Sequence, residues 1–248
     1  NAIYKNLDWH SLITNLRRFN HRLNDVLSAG YLYYEHTRSS LSEVFGKTSA
    51  ELSQFEDFRT QESAQNLSVR LMQLIRDVSQ HANLPLRSIG MPTKRKGEPG
   101  NSILEFVAQP RVRKKDLRNE ARISRKHREN WKKDSLTLPD EIEIADHLRK
   151  YITSIGKTNS KIRRITSQMA ETCVGRIRYP RNVFIATLGD RDLKSNYVLG
   201  IFEFENDPNS APIEIYPVVD VIAEHWELLK RKNAQIPDLS KLVISNRS

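Results

Sequence analysis

The sequence predicts a mainly α protein, a helical body carrying a basic insertion and followed by a small C-terminal α+β appendage. Three observations carry that expectation. Apolar residues recur at helical spacing over most of residues 1–180, strong positive charge is concentrated between Lys94 and Lys133, and the texture turns β-rich after Pro180. The expected division is therefore 1–180 for the body, with the basic segment 94–133 inside it, and 181–248 for the appendage. At 248 residues the chain can bury a sizeable core without staples.

The elements follow in order. Trp9, Leu12, Ile13, Leu16, Phe19, Leu23, Val26 and Leu27 mark a helix that Gly30 interrupts and "YLYYEHTRSSLSEVF" continues, so one long or kinked helix is expected to Phe45. "TSAE" offers a capping box in which Thr48 caps and Glu51 reaches back, opening a short helix through Phe55 and Phe58. Leu67, Leu71, Leu74, Ile75, Val78 and Ala82 then form a one-sided stripe, and Pro85 stops that helix near His81 to Asn83. "PLRSIGM" and "SILEFVAQP" flank the turn-rich "PTKRKGEPGN" and predict a strand pair.

"KKDLRNEARISRKHRENWKK" predicts an exposed, weakly apolar helix. Leu138-Pro139-Asp140 predicts the start of a long helix whose inner face carries Ile144, Leu148, Tyr151, Ile152, Ile155, Ile162, Ile165 and Met169. In the appendage, "NVFIATL", "YVLGIFEF" and "PIEIYPVV" predict strands, "ENDPNSA" a turn, and Val219 to Lys232 a closing helix.

Charge and composition narrow the function classes. Of a formal net charge of +10, the segment Lys94 to Lys133 supplies +9, with 14 Lys or Arg against 5 Asp or Glu. That asymmetry points to an anionic partner, nucleic acid first. The candidate phosphate-binding residues are Lys94, Arg95, Lys96, Arg111, Arg113, Lys114, Lys115, Arg118, Arg122, Arg125 and Lys126, against the alternative of a merely solvated charged helix. The single Cys173 excludes an internal disulfide framework, and no zinc spacing exists. No metal or other cofactor is expected. Apolar runs such as "VFIA" are too short to span a bilayer, and no basic stretch followed by an apolar run opens the chain, so a cytoplasmic setting without membrane contact is expected.

The chemistry centres on "RLMQLIRDVSQHANLP". Arg-x4-His spacing occurs twice, at Arg76/His81 and Arg122/His127, so spacing alone does not discriminate. Arg76 lies on the helix face opposite the core stripe, with Val69 and Met72 on its side, which suggests packing against another helix or a subunit. Asp77 precedes His81 by one turn and can orient its imidazole. Arg122 and His127, in the basic segment, read as solvated or phosphate-facing.

"IRDVSQHANLP" resembles the Arg-x4–6-His motif of the HEPN superfamily, helical bundles that include many prokaryotic ribonucleases. Arg76, Asp77 and His81 occupy the matching positions, with Asp77 where Asn is commoner and Ala82-Asn83 where a Gly would fall. The ending is also similar to that of some bacterial HEPN-like proteins, and the wider likeness covers roughly 130–150 residues of helices. The resemblance implies a HEPN-like bundle that cleaves RNA without metal. His81 would act as general acid or base, Arg76 would stabilise the phosphorane, and a 2′,3′-cyclic phosphate and a 5′-hydroxyl would be left. It also implies a homodimer pairing two motifs, and suits phage defence or a toxin–antitoxin pair with an antitoxin or defence partner protein.

Two rivals stand beside this expectation. A non-catalytic nucleic-acid- or protein-binding module would use the same basic segment, with His81 in the last turn simply favoured by the helix dipole. A metal-dependent nuclease would use the appendage carboxylates Glu203, Glu205, Asp207, Glu214 and Asp220, but "FEFEN" and "IEIYP" lack the accompanying lysine. "GYLYYEHTRSS", with Tyr33, Tyr34, Glu35, His36 and Arg38, reads as core and rim, with aromatic rings that could stack bases. "GKTNS" at Gly156 lacks the upstream glycine of a phosphate loop.

Overall fold

The computed structural model describes residues 9–81, 85–90, 93–96, 103–106, 109–117, 125–188, 200–203, 214–217 and 228. The described residues are mainly α, with five α-helices and 82% of them helical. Two compact units partition the chain: residues 1–161 with 237–248, and residues 162–236. The division falls inside the longest helix, as does residue 180.

In the first unit, α1 (Trp9–Phe45) runs unbroken through Gly30. A Cβ at Gly30 would collide with the Tyr151 hydroxyl and come within 2.9 Å of Ile155 Cδ1, so glycine here permits close helix packing rather than a kink. α1 ends at Gly46, whose φ of 98° suits glycine, and its amide closes on Ser42 O at 3.0 Å. α2 (Ala50–Gln65) is longer than expected. Its cap is Ser49 rather than Thr48: Ser49 Oγ accepts from Leu52 N at 3.2 Å, because the αL turn at Gly46 brings Ser49 to the first orphan amides.

α3 (Leu67–His81) buries the predicted stripe: Leu71, Leu74, Ile75 and Val78 are all core residues. Val69 and Met72 are equally buried, in one cluster with Leu23 and Leu27 of α1. Of the two expectations for this face, another helix or a subunit, the described residues show the helix: α1 covers it. Asn66 starts α3 by accepting from Ser68 N at 3.0 Å.

The expected strand pair is a nested one. β1 (Ser88–Gly90) pairs antiparallel with β4 (Gln109–Arg113), and β2 (Thr93–Lys96) with β3 (Ile103–Phe106). The turn 97–102 lies outside the described residues. β4 also pairs with β5 (Glu141–Glu143), giving the order β1-β4-β5. Here the start of the long helix is corrected. Ile142 is buried between two exposed glutamates, a strand alternation, and Lys114 holds the approach through Leu138 O and Asp140 O, both at 2.8 Å.

The basic segment is not one exposed helix. A 3-10 turn (Lys114–Leu117) buries Leu117, and α4 (Arg125–Asp134) buries Trp131. α5 (Ile144–Leu188) follows, with Ile144 and Tyr151 buried and Met169 exposed against expectation. Its inner face also carries hydroxyls: Ser154 donates to Glu62 at 2.6 Å, and Thr158 donates to Ser154 O at 2.9 Å.

The second unit contains the rest of α5 and the antiparallel pair β6 (Gly200–Glu203) and β7 (Glu214–Pro217). "NVFIATL" is helical, not a strand: a short β-branched run yields to the preceding turns, onto which each added residue gains a hydrogen bond. The turn 205–211 and, except for Leu228, the closing helix expected at 219–232 lie outside the described residues. No helix among the described residues is long and apolar enough to cross a membrane.

Candidate active site

A cavity of about 510 Å³ opens in the first unit where α1, α2, α3, α4 and α5 meet. The core stripe fixes the rotation of α3, and that rotation turns Arg76 toward α1 and Asp77 toward α4. The Arg76 guanidinium carbon sits 3.7 Å from the centroid of the Tyr31 ring, a stacking that clamps its plane. Arg76 Nη1 lies 3.6 Å from Asp77 Oδ1, and the two side chains keep only 17% and 15% of their exposure. Arg76 Nε is buried and has no hydrogen-bond partner among the described residues. A buried donor without a partner is costly, so this packing of Arg76 is held against a penalty of about 1–3 kcal/mol.

The other oxygen of Asp77 is engaged from α4. Asp77 Oδ2 lies 2.5 Å from Nδ1 of His127, which lines the same cavity. Asp77 therefore orients His127, a residue read from sequence as solvated or phosphate-facing. His81 ends α3, and its side chain lies outside the described residues. The signal for His127 was present: His127, Trp131 and Asp134 fall at i, i+4 and i+7, one face of a helix.

That face docks α4 antiparallel on α3. Arg70 binds Asp134 through two bonds, Nε to Oδ2 at 2.7 Å and Nη2 to Oδ1 at 2.8 Å, while Trp131 enters the core between the two polar contacts. Hydrogen bonding to Asp134 holds the Arg70 guanidinium still more firmly protonated than an ordinary arginine.

The remaining walls supply cations and hydroxyls. Arg59 lies 5.1 Å from the Tyr34 ring centroid and 3.4 Å from Glu35, and Glu56 is held by Arg38 at 2.7 Å. Burial is the main cause that pushes the Tyr151 hydroxyl up to about 12, so at neutral pH it remains a neutral donor. Thr158 donates to Ser154 O, which leaves Tyr34 as the donor in its 3.4 Å contact with Thr158 Oγ1. Among the described residues no cluster of three or more His, Cys, Asp or Glu could hold a metal ion.

No family model matches this chain, and no curated protein or solved structure does.

The basic candidates are less free than their number suggests. Arg111 pairs with Glu141 and Arg113 with Asp116, each at 3.0 Å, and Lys114 donates to Leu138 O. Arg125 pairs with Glu129 at 2.9 Å on an exposed face, and Lys115 is exposed. Lys94, Arg95 and Lys96 lie in β2, and their side chains, like that of Lys126, are outside the described residues, as are Arg118 and Arg122. Glu203 and Glu214 are directly opposite in the β6–β7 register, while Glu205, Asp207 and Asp220 lie outside the described residues.

A second histidine has a structural task. His147, in the first turn of α5, shares a 2.9 Å hydrogen bond with buried Ser68 of α3. Burial lowers its pKa below the usual 6.5. The folded state thus takes up its proton less readily than the unfolded chain, so stability is full above about pH 6.5 and falls as pH drops through that value. Urea midpoints measured from pH 7.5 to 5 should decline for the native chain and decline less for His147→Gln. Equal slopes for the two would remove His147 from the acid response.

Proposed function

We propose that the protein binds RNA and cleaves it without a metal ion, in the cavity that holds Arg76, Asp77 and His127. The supporting observation is the placement of an Asp-oriented imidazole beside a stacked arginine whose buried Nε lacks a partner. In this reading the ribose 2′-oxygen attacks the adjacent phosphorus and the bond to the 5′-oxygen breaks. His127 exchanges the proton that leaves the 2′-hydroxyl or returns to the 5′-oxygen, and Asp77 holds its tautomer. Arg76 faces the charge that builds on the phosphorane, with Arg59 across the cavity. The sequence motif assigns His81 to proton transfer, whereas the geometry favours His127. A HEPN-like bundle, a homodimer and a defence or toxin–antitoxin role accompany the proposal through the motif.

The test incubates end-labelled RNA with the full chain in excess EDTA. Cleavage should persist and leave cyclic-phosphate ends, and His127→Ala should reduce it by about 10²–10⁴-fold. If His81→Ala abolishes cleavage while His127→Ala leaves it intact, the motif's assignment stands and the geometric one falls. RNA binding without cleavage in the native chain would leave a non-catalytic binding module.

A further inference from the structure

A second cavity, of about 320 Å³, adjoins the first, and the two share Thr60 and Ser63 of α2 as common wall. Its far wall is α4, through Asn130, Lys133 and Asp134. The aspartate contributes little free charge, because Arg70 holds both its oxygens. Lys133 is exposed and forms no ion pair among the described residues, so the net character of this second cavity is positive. Asn130 and Thr60 add neutral polar groups that suit sugar and phosphate oxygens.

We infer that this cavity is a second subsite, which takes the phosphate next to the scissile one on a single-stranded RNA, with Lys133 as its cation. The inference rests on the reading of the first cavity as a phosphodiester site. Lys133 follows His127 by six residues, about 9 Å along the axis of α4. An extended strand spans that distance in about one or two nucleotides. Thr60 and Ser63 make the path continuous along α2, so a strand seated at Arg76 runs directly onto Lys133. A duplex does not fit this path. Arg76 is recessed between helices with 17% of its side chain exposed, and only a strand free of its complement can lower a phosphate to it. In-line attack by the 2′-oxygen also requires a backbone released from A-form stacking. Lys133 is the last residue of the basic segment, and what singles it out is its position beside a cavity.

The test separates this subsite from the cleavage reaction. Fluorescent 2′-O-methyl oligoribonucleotides of two, four and eight residues, which have no attacking hydroxyl, are titrated against the full chain by anisotropy. Affinity should rise from dimer to tetramer. Lys133→Glu should weaken the tetramer and octamer about tenfold, since reversal replaces a surface attraction with a similar repulsion, and leave the dimer unchanged. The salt slope for the octamer should shrink by about 0.7 with that contact. Lys47→Glu, on the turn between α1 and α2, changes net charge equally and should leave every length unaffected. An equal loss at all lengths, an equal loss in Lys47→Glu, or a matching duplex that binds as tightly as the strand would overturn the subsite. Length-dependent binding that needs Lys133, in a chain that never cleaves RNA, would keep the subsite and sink the nuclease. Cleavage with no Lys133 effect would do the reverse.

Discussion

Arg76→Lys is expected to lose nearly as much RNA cleavage as Arg76→Ala, about 10²–10³-fold in kcat, although the charge is kept. A lysine cannot lie flat on Tyr31 or present a planar fork of donors toward a phosphorane. Its ammonium would also need more hydration than a recessed position allows. Single-turnover rates with saturating RNA measure this directly, and thermal melts of both variants check that the fold survives. If Arg76→Lys cleaves at near-native rate, only the charge at this position matters and the stacked geometry is incidental. If even Arg76→Ala cleaves normally, the cavity is not where the reaction occurs.

The largest stability effect is expected at Asn20, which is 2% exposed. Its amide nitrogen donates to Leu86 O at 3.0 Å and Leu16 O at 3.1 Å, and its carbonyl accepts from Leu86 N at 2.9 Å. One side chain thus satisfies both backbone groups of a buried leucine that follows Pro85. Asn20→Ala leaves those two groups unpaired, at a cost of about 1–3 kcal/mol each. Asn20→Asp is nearly isosteric yet should be at least as harmful at pH 7, because a carboxylate oxygen would face two carbonyls. The Asn20→Asp loss should shrink as pH falls, since protonation restores a donor. Urea unfolding of both variants at pH 7 and pH 4.5 decides the matter. An Asn20→Asp chain as stable as the native one at pH 7 would mean that water reaches these groups.

The helical skeleton was legible because it rests on period. The stripe from Leu71 to Val78 fixes α3, and the same stripe sets the direction in which Arg76 points. What sequence could not provide was the partner of Asp77. Local spacing favours His81, four residues away, whereas the contact that forms is with His127, fifty positions away. Charge density also concealed the face of α4: among so many lysines and arginines, His127, Trp131 and Asp134 read as incidental. At Val69 and Met72 spacing showed that a second face was apolar but could not tell a helix of the same chain from a subunit; α1 covers it. β5 was hidden in a different way, because three residues around Ile142 carry too little pattern to compete with the strong helix that follows.

The fifty-residue separation between Asp77 and His127 bears on the order of assembly. Seating α4 on α3 closes a loop through the nested strands, an entropic cost met only once the core can reward it. A nascent or partly opened chain therefore holds the arginine without the imidazole. Hydrogen exchange should find α4 opening before α3, with the site disabled at each such opening. In the proposed reading, an opening of α4 alone would part the imidazole from the arginine, so cleavage would be lost before the core itself unfolds.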